Sequence, residues 1–465
     1  MEQTGFIACI DMGSSNIVGL LGRRNEQGVI SILASESVPS DSCIKHGIVY
    51  NIDEAAGRVK KLLNLLENKV GKKIGKVYVS IAGMSLRSVK HIESRFFESD
   101  TEVTFAMIDK LEMQAKSHTI PLLTNYGAIA PEKYLDDQLV DDPIGKIANK
   151  IEIAFQLITG RPNIKVNLQR CIAIKNQTNI AGFIVGAVAT GAILLDEEDK
   201  NKGCALVDFG GGTTTVSIYK DGLLRYMSVI PLGGKTITKD IQSLDFTEEQ
   251  AESYKIKYGR VGKKKATDTS GIQHSNDVDV RELNKIIQYR QDEILMNILN
   301  QIEVSGYTGK LEAGIIITGG ASQMTGLNEY FADKAKVTVK EGSVKRLYIN
   351  NAIELLQKPS YSQCLGSMLF ATENCEKIEI VQEPEPVEEV PQPINQHHQQ
   401  MPEQNKVQQP PQVEVAKAKE PEVSKEEEEV EDDTKTGQKP DGQRTLFGFF
   451  GKIHKIGDAM FKEEK

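Results

Sequence analysis

Ile7-Ala8-Cys9-Ile10-Asp11-Met12-Gly13-Ser14-Ser15-Asn16-Ile17-Val18 is written a second time, in outline, as Cys204-Ala205-Leu206-Val207-Asp208-Phe209-Gly210-Gly211-Gly212-Thr213-Thr214-Thr215-Val216. Each copy is an apolar strand ending near an aspartate, a tight turn of glycine and hydroxyl residues, and a second apolar strand. The two aspartates stand 197 residues apart. That is the length of a domain, so the echo predicts two similar halves rather than a short solenoid repeat.

The turns carry chemistry. A hairpin of Gly with Ser or Thr aims several backbone N–H groups the same way, and such a nest binds phosphate oxygens. Glycine admits close approach and the hydroxyls add donors. An Asp beside the turn suits Mg²⁺, which keeps most of its water shell and is held through it. Two such hairpins face to face would clamp one nucleotide between domains. A third element follows the run Gly314-Ile315-Ile316-Ile317-Thr318: Gly319-Gly320-Ala321-Ser322-Gln323 turns the chain from strand to helix, where a flat adenine could lie on bare backbone. One such hairpin is usually only a turn, and one Gly-Gly is usually a helix entry. All three in this order, in an α/β chain, are far harder to explain that way. There is no GxxxxGK(S/T), and no GxGxxG follows an early strand, which excludes the two commonest glycine-rich nucleotide motifs.

Outward from these motifs, three regions appear. Residues 1 to about 378 alternate apolar strands with helical segments, an α/β pattern. Residues 379–442 hold nine of the sixteen prolines, many Gln and Glu and no aromatic residue. Such a segment cannot bury enough apolar surface to offset its ordering entropy, so we expect a disordered linker. Between 381 and 440 there are 15 acidic and 6 basic residues, which accounts for the net charge of −9. The remainder is neutral overall, and no part is basic enough to suggest nucleic acid. No basic stretch precedes a long apolar run at the N-terminus, and the apolar stretch 182–195 is too short to span a bilayer. The six cysteines show no metal spacing and are expected as reduced, buried thiols in the cytosol.

Apolar and aromatic residues return abruptly at 443–465. Leu446, Phe449, Phe450, Ile453, Ile456 and Met460 recur at helical spacing, with Phe447 and Phe461 beside them and Arg444, Lys452, Lys455 and Lys462 opposite. This is the pattern of an amphipathic helix lying in a membrane interface. The bland alternative is a helix docked on the chain's own core, and the long tether ahead of it argues against that.

The ordered motifs resemble the actin, Hsp70 and sugar-kinase superfamily. They are most similar to the FtsA family of bacterial cell-division proteins. The resembling stretches are 44–51 (IKHGIVYN), 77–83 (VYVSIAG), 142–145 (DPIG), 207–215, 229–234 (VIPLGG), 315–323 and 361–366 (YSQCLG). The resemblance implies an actin/Hsp70-like ATPase fold of two lobes with mixed sheets. Subdomain 1A would comprise 1–83, 161–200 and 355–378, and an SHS2-like subdomain 1C would be inserted at 84–160. Subdomain 2A would comprise 201–235 and 309–354, with 2B at 236–308. Phe105–Lys116 has helical apolar spacing, Ile151–Ile158 reads as a strand, and a long helix is expected at 281–304.

On this reading Mg²⁺ is held by Asp11 and Asp208. The phosphates of ATP lie on Ser14, Ser15, Asn16, Gly210, Gly211, Gly212, Thr213 and Thr214, and adenine on Gly319 and Gly320. Two departures stand out. Asn16 occupies a position where the family commonly has Lys. The segment Val185–Gly191 lacks the Glu or Gln that orients attacking water in the superfamily, which predicts an ATP-binding switch with at most weak ATPase activity. The resemblance further implies that 2B docks the C-terminal peptide of FtsZ, with Lys285, Arg290 and Glu293 on its helix. It also implies self-association into protofilaments through 1C, contact with other division proteins, and attachment to the cytoplasmic face of the inner membrane at the division site. A pilus-assembly ATPase or a sugar kinase of the same fold is the alternative. A kinase would need a carboxylate base and no lipid-binding tail.

Overall fold

A computed structural model describes residues 5–262 and 278–377. The expected linker and the membrane-helix residues Leu446 to Phe461 lie outside the described residues. In chain order the elements are β1 (Ile7–Met12), β2 (Asn16–Arg24), β3 (Ile30–Pro39), β4 (Ile44–Lys45), β5 (Ile48–Val49), α1 (Ile52–Val70) and β6 (Lys76–Ile81). An insert follows: β7 (Arg87–Glu102), α2 (Phe105–Ser117), β8 (Thr124–Leu135), β9 (Gln138–Val140) and β10 (Ile147–Gly160). Then come α3 (Asn163–Leu168), a π-helical turn at Gln169–Ile174, β11 (Asn179–Val185), α4 (Gly186–Leu194) and α5 (Glu197–Lys202). The second half runs β12 (Cys204–Phe209), β13 (Thr214–Lys220), β14 (Leu223–Ile230), α6 (Gly234–Ile241), α7 (Glu248–Tyr258) and α8 (Val280–Val304). It ends with β15 (Gly314–Thr318), a 3₁₀ turn at Gly320–Gln323, α9 (Leu327–Ala335), β16 (Val339–Glu341), β17 (Ile349–Asn350), α10 (Ile353–Leu356) and α11 (Ser362–Met368).

The repeat read from the two hairpins governs the topology. One sheet has the order β11-β6-β1-β2-β3-β17. In it β1, β2 and β3 form an antiparallel meander, and β6 lies parallel on the far side of β1. The other sheet has the order β16-β15-β12-β13-β14-β7-β10-β8-β9. There β12, β13 and β14 form the same meander, with β15 parallel on the far side of β12. Registers agree as well: Asp11 faces Val18, and Asp208 faces Thr215. The fold is therefore the two-lobed, actin-like α/β fold with mixed sheets.

Local sequence explains the elements. In α1, Asn51 caps the N-terminus by accepting the Glu54 N–H, and Gly71 ends the helix at φ 68°. Ala55, Ala56, Val59, Leu62, Leu63 and Leu66 recur on one face and are buried. Full burial of Val59, Leu62 and Leu66 contributes about 1.5–3 kcal/mol each relative to exposure. Gly19 in β2 lets this face close on the sheet, because a Cβ there would sit 2.7 Å from a Leu66 methyl.

Apolar side chains gather in three cores. The first joins β1, β2, α1, β6, α4 and α11; the second joins β12, β13, β15, α6, α8 and α9. The third lies within the insert, where Ile108, Leu111 and Ala115 of α2 pack on Ile151, Ile153 and Phe155 of β10. The helical spacing read in α2 included Phe105 and Met113, and these two are exposed. The insert sheet joins the second lobe through a single rung, Ser228 of β14 opposite Arg87 of β7. All six cysteines are buried and unpaired, and burial pushes the thiols of Cys171 and Cys204 up to about 12. None is a thiolate at neutral pH, in line with a structural role.

Candidate nucleotide cleft

Asp11 and Asp208 occupy equivalent positions on β1 and β12, one strand from each lobe. Each is followed by a tight turn. Gly13 lies where a Cβ would meet the Asn16 carbonyl, and the N–H of Gly210 donates to Thr213 O at 2.9 Å. The two turns meet tip to tip. A Cβ on Gly211 would collide with the Ser15 hydroxyl, and one on Gly212 would lie 2.5 Å from Ser14 Oγ. Only glycine permits this approach, so the spacing of Gly211 and Gly212 serves contact between lobes as well as any ligand.

A further turn closes the side. His46 and Gly47 join β4 to β5, and the Gly47 N–H donates to Ser14 Oγ at 2.9 Å, while His46 Nδ1 lies 2.9 Å from Gly212 O. Behind the second hairpin, the N–H groups of Gly234 and Lys235 donate to Gly210 O and Gly211 O at 3.0 and 2.7 Å. Gly234 and Lys235 open α6, which begins at the last glycine of the VIPLGG stretch.

The site residues read from sequence divide in this frame. Ser15, Gly210, Gly211 and Thr213 stay partly open at the junction, and Asn16 is exposed at the start of β2. Thr214 turns inward: it is fully buried, and its hydroxyl donates to Leu232 O at 2.8 Å, so it braces the hairpin. Gly320 faces open space, with Ser360 3.8 Å from a notional Cβ. Gly319 is under a further constraint. It holds φ +91°, and a Cβ there would strike the Asp208 carboxylate, so this glycine makes room for Asp208.

One residue of the cleft lay unremarked in the YSQCLG stretch. Gln363 donates through Nε2 to Asp11 Oδ1 at 2.5 Å. Its side chain lies over Gly186, where any Cβ would collide with it. Gln363 reaches the mouth of α4 from α11, which packs on α4 with Gly366 against the Ala189 carbonyl. The adjacent Ser362 shares a 3.3 Å hydrogen bond with Thr318 at the end of β15. Successive residues of one short helix therefore contact strand ends of both lobes.

The electrostatics single out the paired acids. Burial raises Asp11 to about 7; the Gln363 hydrogen bond opposes this, and the Asp208 charge adds to it. Asp208 keeps part of its surface open to the cleft, and burial raises it to about 6. Two carboxylates, one from each lobe and near enough for the Asp208 charge to raise Asp11, with no cation paired to either among the described residues, form the donor set a hydrated divalent cation takes. The residues thus fit Mg²⁺ with a bound phosphate chain: carboxylates for the ion, and turn N–H groups and hydroxyls for the phosphates.

The residues expected on α8 lie on different sides of the helix. Lys285 lines a cavity of about 460 Å³ with Arg260, Gly262, Arg281, Asn284, Gln288 and Tyr289. Arg290 points to another side of the helix. It pairs with Asp240 of α6 at 2.5 Å and also with Glu293.

The family description "Cell division protein FtsA" matches residues 205–366. "Cell division protein FtsA" of Porphyromonas gingivalis is 30% identical over 403 residues, covering 83% of each chain. Its counterpart in Neisseria meningitidis serogroup B is 31% identical over 383 residues, covering 78% of this chain and 90% of that one. Among solved structures, the PilM-PilN type IV pilus biogenesis complex is similar at a TM-score of 0.56 and 15% identity, over 79% of this chain and 98% of that one. At that identity the likeness concerns the fold alone. With the paired hairpins, the repeated meander and these full-length relatives, the chain belongs to the FtsA family of cell-division proteins.

Proposed function

We propose that this chain binds Mg-ATP between its lobes and acts as a nucleotide-dependent assembly and tethering protein of the division ring. The observation that carries the nucleotide reading is the meeting of the two hairpins with Asp11 and Asp208 behind them. Asp11 and Asp208 would hold the ion through water. The turns at 13–15 and 210–213 would receive the phosphates, and Gly320 leaves backbone bare for the base. Mg²⁺, when bound, neutralises phosphate charge. Gln363 would keep Asp11 oriented through its amide, and any hydrolysis would be weak because Val185–Gly191 lacks a water-orienting Glu or Gln. Asp208→Ala should abolish Mg-dependent ATP binding in calorimetry, and unchanged affinity would sink the reading.

The finer assignments extend from the family. We take 84–160 as subdomain 1C and 236–308 as 2B, with 1A and 2A bounded as above. For the FtsZ C-terminal peptide, the cavity along α8 is the favoured seat, since Arg260, Arg281 and Lys285 would meet acidic side chains and Tyr289 an apolar one. For protofilaments, support comes from the insert, which exposes Ile92, Phe96, Phe105, Met113, Leu122 and Ile147. For the membrane, support comes from the pattern of 443–465. Among the described residues no helix is long and apolar enough to cross a bilayer. Several half-buried aromatic and aliphatic side chains and four cations would bind one tail reversibly, and polymerisation would multiply that through avidity.

A further inference from the structure

His91 and Glu93 stand two residues apart on β7, hence on one face of the strand. Their partners on β10, Phe155 and Ile153, belong to the insert core that α2 covers. His118 follows the last turn of α2, its N–H donating to Ala115 O at 3.1 Å. The helix end is thereby brought down on the strand. The rings of His91 and His118 stack at 3.8 Å between centroids, 28° from parallel. His91 Nε2 lies 2.7 Å from Glu93 Oε1. The three residues can each direct one ligand atom into a space where all three atoms lie within 4.8 Å of one another. All three are partly buried.

This concentration is unusual for the chain. Of the three histidines among the described residues, two are here. Among the described residues no other group of three His, Cys, Asp or Glu comes together in this way. Imidazole and carboxylate are the ligands of borderline divalent ions, and two His with one Glu leave one position of a tetrahedron for water. Bonds of about 2.0–2.2 Å place tetrahedral ligand atoms roughly 3.3 Å apart. To reach that spacing from within 4.8 Å the side chains would rotate and the ring stack would open to admit the ion.

We propose that His91, Glu93 and His118 form a zinc-type divalent metal site that staples the C-terminal end of α2 to β7. The site is separate from the nucleotide cleft, and nothing in the ATP reading depends on it. An ion held by native ligands alone stabilises the folded insert by mass action.

The test uses the full-length chain stripped with EDTA. His397 and His398, adjacent in the sequence, offer a competing pair, so both are alanine in every sample. Zn²⁺ is titrated against a chromophoric chelator, and Co²⁺ is added separately to read its visible absorption. The expected result is one equivalent bound by the parent, with Co²⁺ bands of four-coordinate N/O ligation and a raised thermal midpoint. His118→Ala should weaken that equivalent by more than about tenfold and remove the thermal gain. His91→Gln and Glu93→Gln give the same reading if alanine at 118 loosens α2. Mg-ATP affinity, measured alongside, should stay constant in all variants and attests to an intact fold. Zn²⁺ binding of equal strength in parent and variants, or none in the parent, overturns the site.

Discussion

Replacing Asp11 by Asn separates what the cleft costs from what it does. Asp11 is raised from 3.8 to about 7, chiefly by burial. Between about pH 4 and pH 7 the folded chain therefore retains a proton that the unfolded chain has released. Stability contributed by that proton is complete below pH 4 and is lost as pH rises through 7. A tenfold change in proton affinity is worth about 1.4 kcal/mol, so the full loss is about 4 kcal/mol. Water entering the cleft reduces this, and about 2–4 kcal/mol is the expected span. Asn keeps the shape and still accepts the Gln363 N–H, yet carries no charge. Asp11→Asn should therefore match the parent near pH 3.5 and exceed its stability by about 2–4 kcal/mol at pH 8, in metal-free urea unfolding. Saturating Mg-ATP should restore the parent at pH 8 and leave the variant unmoved. Parallel pH profiles for the two proteins would refute the reasoning, since the buried carboxylate would then not be the origin of the cost.

Two further outcomes bear on the partners. Lys285→Glu should weaken binding of an acidic FtsZ C-terminal peptide by about tenfold in fluorescence anisotropy, as removal and reversal of a rim charge costs of order 1–2 kcal/mol. Arg290→Glu should instead lower the thermal midpoint, because it sets a third carboxylate beside Asp240 and Glu293; peptide affinity lost only at Arg290 would reverse the assignment. Phe450→Glu should move the protein from liposome pellet to supernatant with ATP binding intact, whereas retention in the pellet would favour a helix docked on the protein itself.

The sequence announced the hairpins because their chemistry is local. Asp, Gly and hydroxyl residues within ten positions determine a turn wherever the chain carries it. Gln363 was out of reach for the opposite reason: 352 residues separate it from Asp11, and only the packing of α11 on α4 brings them together. Arg290 shows the same limit, since its ion pair with Asp240, 50 residues earlier, forms only when α6 and α8 come together. Thr214 was read with its neighbours as a phosphate contact, but strand alternation turns it inward while Thr213 stays at the junction. Gly319 was read as a floor for adenine. Its φ and the carboxylate against it show that it also meets a demand made by Asp208, visible only once β12 and β15 lie side by side. The histidines of the insert were likewise silent, because helical and strand periodicities say which face a residue shares, not which two faces meet.

The single rung between Ser228 and Arg87 has a mechanical meaning. From that rung β7 runs on to Glu102, 16 residues in all, or roughly 50 Å at about 3.3 Å per residue. The strand is a cantilever clamped at its root, braced by the Met227 N–H on Ser88 Oγ at 2.7 Å and by Arg225 with Glu132. A tilt of about 5° at the clamp sweeps the free end through about 4 Å over a strand of that length. Adjustments of β14 too small to disturb its own sheet are thus geared up at the tip of the insert.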